Sequence, residues 1–146
     1  MTTARLAQVK IGTAVEITRT VAESDVYLFA GITGDDGRNH TDEEYMRTTR
    51  YGARLVQGAY LVGLMSAASV RWVETLDLPG ASYGYDRIRF PHPVFLGDTI
   101  RVRYEVAAVD EERALVRSQA TCTNQRGEVV AVGVHLLKLF PEDRTP

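Results

Sequence analysis

Asp35, Asp36 and His40 lie close together in GITGDDGRNH (residues 31–40). This stretch also holds Gly31, Gly34 and Gly37, and His40 is one of only three histidines in the chain. A carboxylate beside a neutral imidazole can work as an acid–base pair. The carboxylate accepts a proton or orients a water, and the imidazole titrates near neutral pH and can return one. Spacing limits where such a pair can form. Five residues apart on a helix puts Asp35 and His40 about 140° from one another. On a strand the odd spacing sends them to opposite faces. Only an irregular bend turns both to one point, and Gly34 and Gly37 supply it, because glycine accepts positive φ without steric cost. Asp-Gly is equally an ordinary turn pair, and spacing alone does not choose between Asp35 and Asp36.

The elements that must hold this bend follow from periodicity. Residues 9–19 alternate weakly, as an edge strand does. Residues 20–33 read as a short helix, with Thr20 or Ser24 as N-cap and an end near Gly31 or Gly34. Thr41 opens a second helix signature, with acids in the first turn and Gly52 at its end. Residues 55–76 form the longest helix. From 58 to 70 only Tyr60, Ser66 and Ser69 carry polar side-chain atoms, which predicts burial on nearly every side. Arg71, Glu74 and Asp77 mark its return to solvent, and Pro79-Gly80 ends it.

Beyond residue 80 the period becomes two. Residues 85–90 alternate. Residues 99–109 put Ile100, Val102, Tyr104 and Val106 on one face and Arg101, Arg103 and Glu105 on the other. Residues 114–124 and 129–140 add two more runs, the last apolar enough for an interior strand. Phe90-Pro-His-Pro93 must break the sheet. Helices followed by an antiparallel meander indicate an α+β fold with the long helix against one face of the sheet.

Composition bounds the rest. The 146 residues fit one domain over 1–146, of a size that buries roughly 68–70% of its unfolded surface and needs no disulfide or metal to fold. A net charge of −2 gives no field for nonspecific nucleic-acid binding. Cys122 is the only cysteine, so no intrachain disulfide can form, and no His/Cys/Asp spacing marks a metal site. Residues 1–12 lack a signal-peptide apolar core, and no apolar run reaches the roughly 18 residues of a membrane span. These features predict a reduced, cytoplasmic, soluble protein.

Three stretches, in order and in register, resemble one family. FAGITGDDGRNHTD is similar to the signature of the MaoC-like (R)-specific enoyl-CoA hydratases and dehydratases, written G-D-x-N-P-x-H-x-D. LVQGAYLVGLMSA resembles their central helix, usually preceded by His-Gly. RFPHPVFLGDTIRV resembles their later P-V-x-x-G-D signature. The resemblance covers about residues 8–140. It implies a hot-dog fold, a long central helix wrapped by a curved antiparallel sheet. It also implies a homodimer that takes acyl-CoA, with coenzyme A as part of the substrate and no separate cofactor.

The motif's register selects Asp35 and His40 as the catalytic pair, leaves Asp36 variable and makes Asp42 a structural acid. It puts an oxyanion-binding backbone N–H at Gly58 and a substrate-lining serine at Ser66. Two departures stand out. Gly37-Arg38 replaces the usual Asn-Pro, and Gln57 replaces the histidine before the helix glycine. Asn39, beside His40, is a candidate for a different hydrogen bond, and Asn39 and Asp42 are candidates for supporting the loop. Arg87, Arg89, Arg101, Arg103 and Lys138 are candidates for CoA phosphate contacts. His92 reads as a loop residue and His135 as a packed one. The implied activity is hydration of a 2-enoyl-CoA, or the reverse dehydration. The alternatives are a hot-dog thioesterase and a noncatalytic acyl-CoA-binding subunit.

Overall fold

The computed structural model of the protein describes residues 6, 8–76 and 78–140. Strand β1 (Ala14–Thr20) is followed by α1 (Glu23–Thr33), the one-turn α2 (Arg38–Thr41), α3 (Glu43–Arg47) and the long α4 (Gly58–Glu74). Strands β2 (Gly80–Arg89), β3 (Thr99–Asp110), β4 (Leu115–Thr123) and β5 (Val129–Leu139) follow. Every pairing is antiparallel, and the sheet order is β1-β3-β4-β5-β2.

The period-two pattern of β3 decides its faces. Ile100, Val102, Tyr104 and Val106 are fully buried, while Arg101 and Arg103 reach solvent. Val15 and Ile17 of β1 pair with Tyr104 and Val102. Helix α4 lies across this inner face and buries Leu61, Leu64, Met65, Ala68 and Trp72. Burying side chains the size of Leu61, Leu64 and Met65 contributes about 1.5–3 kcal/mol each. Trp72 packs on Tyr104 with ring centroids 6.1 Å apart, and its indole N–H donates to Thr13 Oγ1 at 3.3 Å. A five-stranded antiparallel sheet curled around a central helix is the hot-dog arrangement, an α+β fold.

Several local expectations are corrected. α1 is capped at neither Thr20 nor Ser24. Ala22 holds the N-cap position, and its backbone N–H donates to Asp25 Oδ2 at 2.9 Å, so an acid in the first turn does the capping. Thr41 does not open the next helix: it closes α2, and Asp42 caps the shorter α3. α4 is not buried on every side, because Ala59, Gly63, Ala67 and Val70 form an exposed apolar stripe. Asp77, expected to mark the return to solvent, lies outside the described residues. Among the described residues no helix is long and apolar enough to cross a membrane.

One polar cluster sits inside this core. His135 is fully buried. Its Nδ1 pairs with the Tyr104 hydroxyl at 2.8 Å and its Nε2 with the Ser82 hydroxyl at 2.9 Å, while its ring stacks on Tyr85 at 4.4 Å. Burial pushes the imidazole down to about 4 and the Tyr104 phenol up to about 12.

Candidate active site

The Asp35–His40 bend is built by two turns of backbone chemistry. α1 ends on Gly34, whose φ of 80° lets its N–H reach back to Ala30 O at 2.8 Å. Asp35 follows at once, its N–H donating to Thr33 Oγ1. The chain then enters α2, which carries His40. Gly37 takes φ −50° and ψ 150°, a conformation open to any residue, so it does not supply the positive φ expected of it. What it supplies is space: a Cβ there would stand 2.6 Å from Asn39 Oδ1.

His40 is buried and fixed at both ring nitrogens. Nδ1 lies 2.7 Å from Leu55 O. A carbonyl only accepts, so Nδ1 carries the hydrogen. In the neutral ring Nε2 is then an acceptor, and Asn39 Nδ2 donates to it at 3.0 Å. Asp35 Oδ1 faces the same Nε2 at 3.8 Å, with its side chain half exposed. Leu55 N–H donates to Asn39 O, and Val56 N–H donates to Val94 O, both at 2.8 Å. The segment leading into α4 is thus laced to the histidine on one side and to residues 94–95 on the other.

Gln57 does the same for Asp35. Fully buried, it donates through Nε2 to Val26 O at 3.1 Å and to Asp35 O at 3.2 Å, tying α1 to the bend. Its Oε1 is buried without a partner. Asp42 Oδ1 accepts from Tyr45 N–H and its Oδ2 from Arg38 Nε. The Tyr45 N–H and the Arg38 guanidinium hold the Asp42 carboxyl below the usual carboxylate range. Asp42 therefore braces the turn that carries His40.

A cavity of about 610 Å³ opens beside His40, lined among others by Asn39, Gly58, Leu61, Phe90 and Val94. Gly58 is the first residue of α4, where backbone N–H groups have no carbonyl partner inside the helix and the dipole end is positive. A Cβ on Gly58 would meet three Phe90 ring atoms at 3.0–3.2 Å, so the glycine lets this ring lie against the helix end.

Neither Asp35 nor Ser66 is among the residues lining this cavity, although Asp35 faces the lining residue His40. Nor is any proposed phosphate-binding cation. Arg103 pairs with Glu16 and Glu105, Arg89 donates to Ile88 O, Lys138 to Arg113 O, and Arg101 lines a separate cavity with Thr18 and Thr99. Arg87 sits at an irregular point of β2, with φ 57°. The cation at the His40 cavity is Arg50, stacked over Tyr51 at 4.8 Å. His92, read only as a loop residue, also lines it and pairs through Nδ1 with Val129 O. Sequence reading missed both, and only the flanking prolines of His92 hinted at a fixed loop. Among the described residues no group of three or more His, Cys, Asp or Glu side chains could hold a metal ion.

Fold and site together define a hot-dog protein with an acid–imidazole pair at the mouth of its central helix. The family model described as "MaoC like domain" matches residues 6–127. The chain belongs to the MaoC-like hydratase and dehydratase family, whose enzymes are lyases. It is 34% identical over 125 residues to an (R)-specific enoyl-CoA hydratase of Rhodospirillum rubrum, covering 86% of this chain and 84% of that protein. It is 35% identical over 130 residues to a 3-hydroxybutyryl-CoA dehydratase of Methylorubrum extorquens, covering 89% and 80%. Among solved structures, the unliganded R-hydratase PhaJ1 of Pseudomonas aeruginosa superposes with a TM-score of 0.80 at 32% identity, covering 91% and 83%.

Proposed function

We propose that the protein adds water to a 2-enoyl-CoA thioester to give the (R)-3-hydroxyacyl-CoA, or runs the reverse dehydration. The observation that carries this reading is the approach of Asp35 Oδ1 to His40 Nε2 beside a helix N-terminus that opens on a cavity. The named activities of the 34% and 35% identical relatives support it.

Hydration needs a base for water, a proton for C2 and donors for the thioester oxygen. Water entering between Asp35 and His40 takes over the Nε2 lone pair that Asn39 holds in the free enzyme, and the pair removes one of its protons as its oxygen attacks C3. Negative charge then develops on the thioester oxygen, where the Gly58 N–H receives it. Losing such a donor typically costs about 3–4 kcal/mol of barrier. The pair returns a proton to C2, so the elements of water are added across the double bond. Arg50 stands at the cavity for a CoA phosphate, and no cofactor is required beyond the CoA of the substrate.

A homodimer in the cytoplasm completes the proposal. The exposed stripe Ala59, Gly63, Ala67 and Val70 and the free edge of β2 support a second copy as partner. Light scattering should give the mass of two chains.

The test is incubation with crotonyl-CoA and with branched and dicarboxylic enoyl-CoAs, following conjugated absorbance and free thiol together. Hydration removes the absorbance and releases no thiol. Thiol release would instead make the protein a thioesterase, and binding with neither change a noncatalytic acyl-CoA-binding subunit.

A further inference from the structure

We propose that Asn39 is a positioning residue for His40, and that residue 37 is glycine because the Asn39 carboxamide lies where a β-carbon would stand. The inference rests on the hydratase reading and deepens it.

The geometry starts from Leu55. Its carbonyl takes the Nδ1 hydrogen of His40 at 2.7 Å, and its N–H donates to the Asn39 carbonyl at 2.8 Å. Both residues are pegged to one point just ahead of α4. The imidazole can still rock about that hydrogen bond. The Asn39 Nδ2 contact to Nε2, at 3.0 Å, is the second point that stops it, and it acts on the nitrogen facing Asp35. A ring held at one nitrogen has a direction; held at both it has a position. Effective proton transfer depends on that position.

A carboxamide suits this place for a second reason. In the free enzyme the NH₂ group meets the Nε2 lone pair; it gives way when the incoming water takes that lone pair, and after a half-turn the amide oxygen meets the N–H of the protonated ring. A hydrocarbon side chain at residue 39 could do neither.

Gly37 completes the arrangement. Its backbone angles suit any residue, so conformation does not call for glycine. Its ideal Cβ position is 2.6 Å from Asn39 Oδ1 and 3.9 Å from His40 Cδ2. Any side chain at residue 37 displaces the carboxamide. The signature's asparagine, three residues before the histidine, is Gly37 here, and a carboxamide stands one residue before the histidine instead. Gly37 departs from the signature, Asn39 fills a position that the signature leaves open, and this contact couples the two.

The test measures kcat and KM for crotonyl-CoA hydration in the wild type, Asn39→Leu, Gly37→Ala and the double variant, with histidine-ring ¹⁵N spectra of each. The expected result is a kcat loss on the order of 10- to 100-fold in each single variant with KM within about twofold. The double variant should fall no further than the worse single, and the Nε2 resonance should shift in all three. Unchanged kcat in Asn39→Leu overturns the proposal. So does a raised KM at constant kcat, which would make Asn39 a substrate contact. Losses that multiply in the double variant overturn the coupling to Gly37. Should Gly37→Ala fail to fold, Asn39→Leu decides alone. A wild type that hydrates no enoyl thioester refutes the hydratase reading instead, and the ring spectra still report whether Asn39 holds Nε2.

Discussion

Asp35 Oδ1 and His40 Nε2 face each other across 3.8 Å. That is too long for a hydrogen bond and short enough for one oxygen to sit within ordinary hydrogen-bond reach of both. Neither side chain reaches this point freely. Gln57 holds the Asp35 backbone, and Leu55 and Asn39 hold the imidazole, so the gap is set by groups that do no chemistry themselves.

Removing either partner should therefore stop the reaction without unfolding the protein. Asp35→Asn keeps size and loses the proton acceptor; His40→Ala loses the imidazole. We expect each to lower kcat for crotonyl-CoA hydration by roughly 10²–10⁴-fold. Asp35 is half exposed, so Asp35→Asn should melt within a few degrees of wild type. Near-normal turnover in either variant would refute the assigned pair.

Gly58 makes a different prediction, because its missing side chain is occupied. Phe90 ring atoms stand 3.0–3.2 Å from where a Cβ would be, and the ring is half exposed and can swing aside. Gly58→Ala should fold, yet crowd the N–H that receives the oxyanion. The expected loss in kcat/KM is on the order of 10²-fold. Combining it with Phe90→Ala should recover part of that loss. If it recovers none, the effect lies at the helix end and not in the displaced ring.

The sequence made α4 legible because a long apolar run with small residues has few other readings. Strands β3 and β4 were equally plain, since their period of two survives burial, and β5 was plain from its nearly continuous apolar run. The edges were not. β1 joins β3 across 79 to 91 residues (Thr20 with Thr99, Ala14 with Glu105) and β2 joins β5 at the far side, pairings that local pattern does not encode. The same limit hid the cavity wall. Arg50, Phe90 and His92 come from two segments that meet only once the sheet has curled. Ser66, chosen by motif and helical phase, does not line the His40 cavity. The signature located Asp35 and His40, while the groups that hold them, Gln57 and Asn39, stand where this chain departs from the signature or the signature leaves the residue open.

The glycine-aspartate pair of the later motif supports a stability prediction. Burial alone would raise the Asp98 carboxyl. The Arg126 guanidinium, the Phe95 N–H and Gln125 outweigh it and hold Asp98 below the usual carboxylate range. Gly97, at φ 90°, makes the turn that aims it. Asp98→Ala leaves the Phe95 N–H and the Gln125 amide N–H without this acceptor and Arg126 with Glu128 alone, and we expect a loss of about 2–3 kcal/mol, given that Arg126 is half exposed. Urea titration measures this. A loss under about 0.5 kcal/mol would make the knot incidental.

His135 gives the last test, and its sign follows from burial. The folded protein holds this imidazole at about 4, against an ordinary value of 6.5. Above about pH 6.5 both folded and unfolded chains carry it neutral, and it contributes no pH dependence. As pH falls from 6.5 toward 4, the unfolded chain takes up a proton that the folded chain refuses, so stability drops. The full difference is about 3 kcal/mol. The depressed carboxylates such as Asp98 act in a lower window, since their contribution is lost only as pH falls below about 3.8. Stability by urea titration at intervals from pH 7 to pH 4 should therefore decline before any of them protonates. His135→Gln can keep hydrogen bonds to Ser82 and Tyr104 but does not titrate. It should be less stable at pH 7 and flatter across this window. If its slope between pH 6.5 and 4 equals that of the wild type, the buried imidazole is not what makes the fold acid-sensitive.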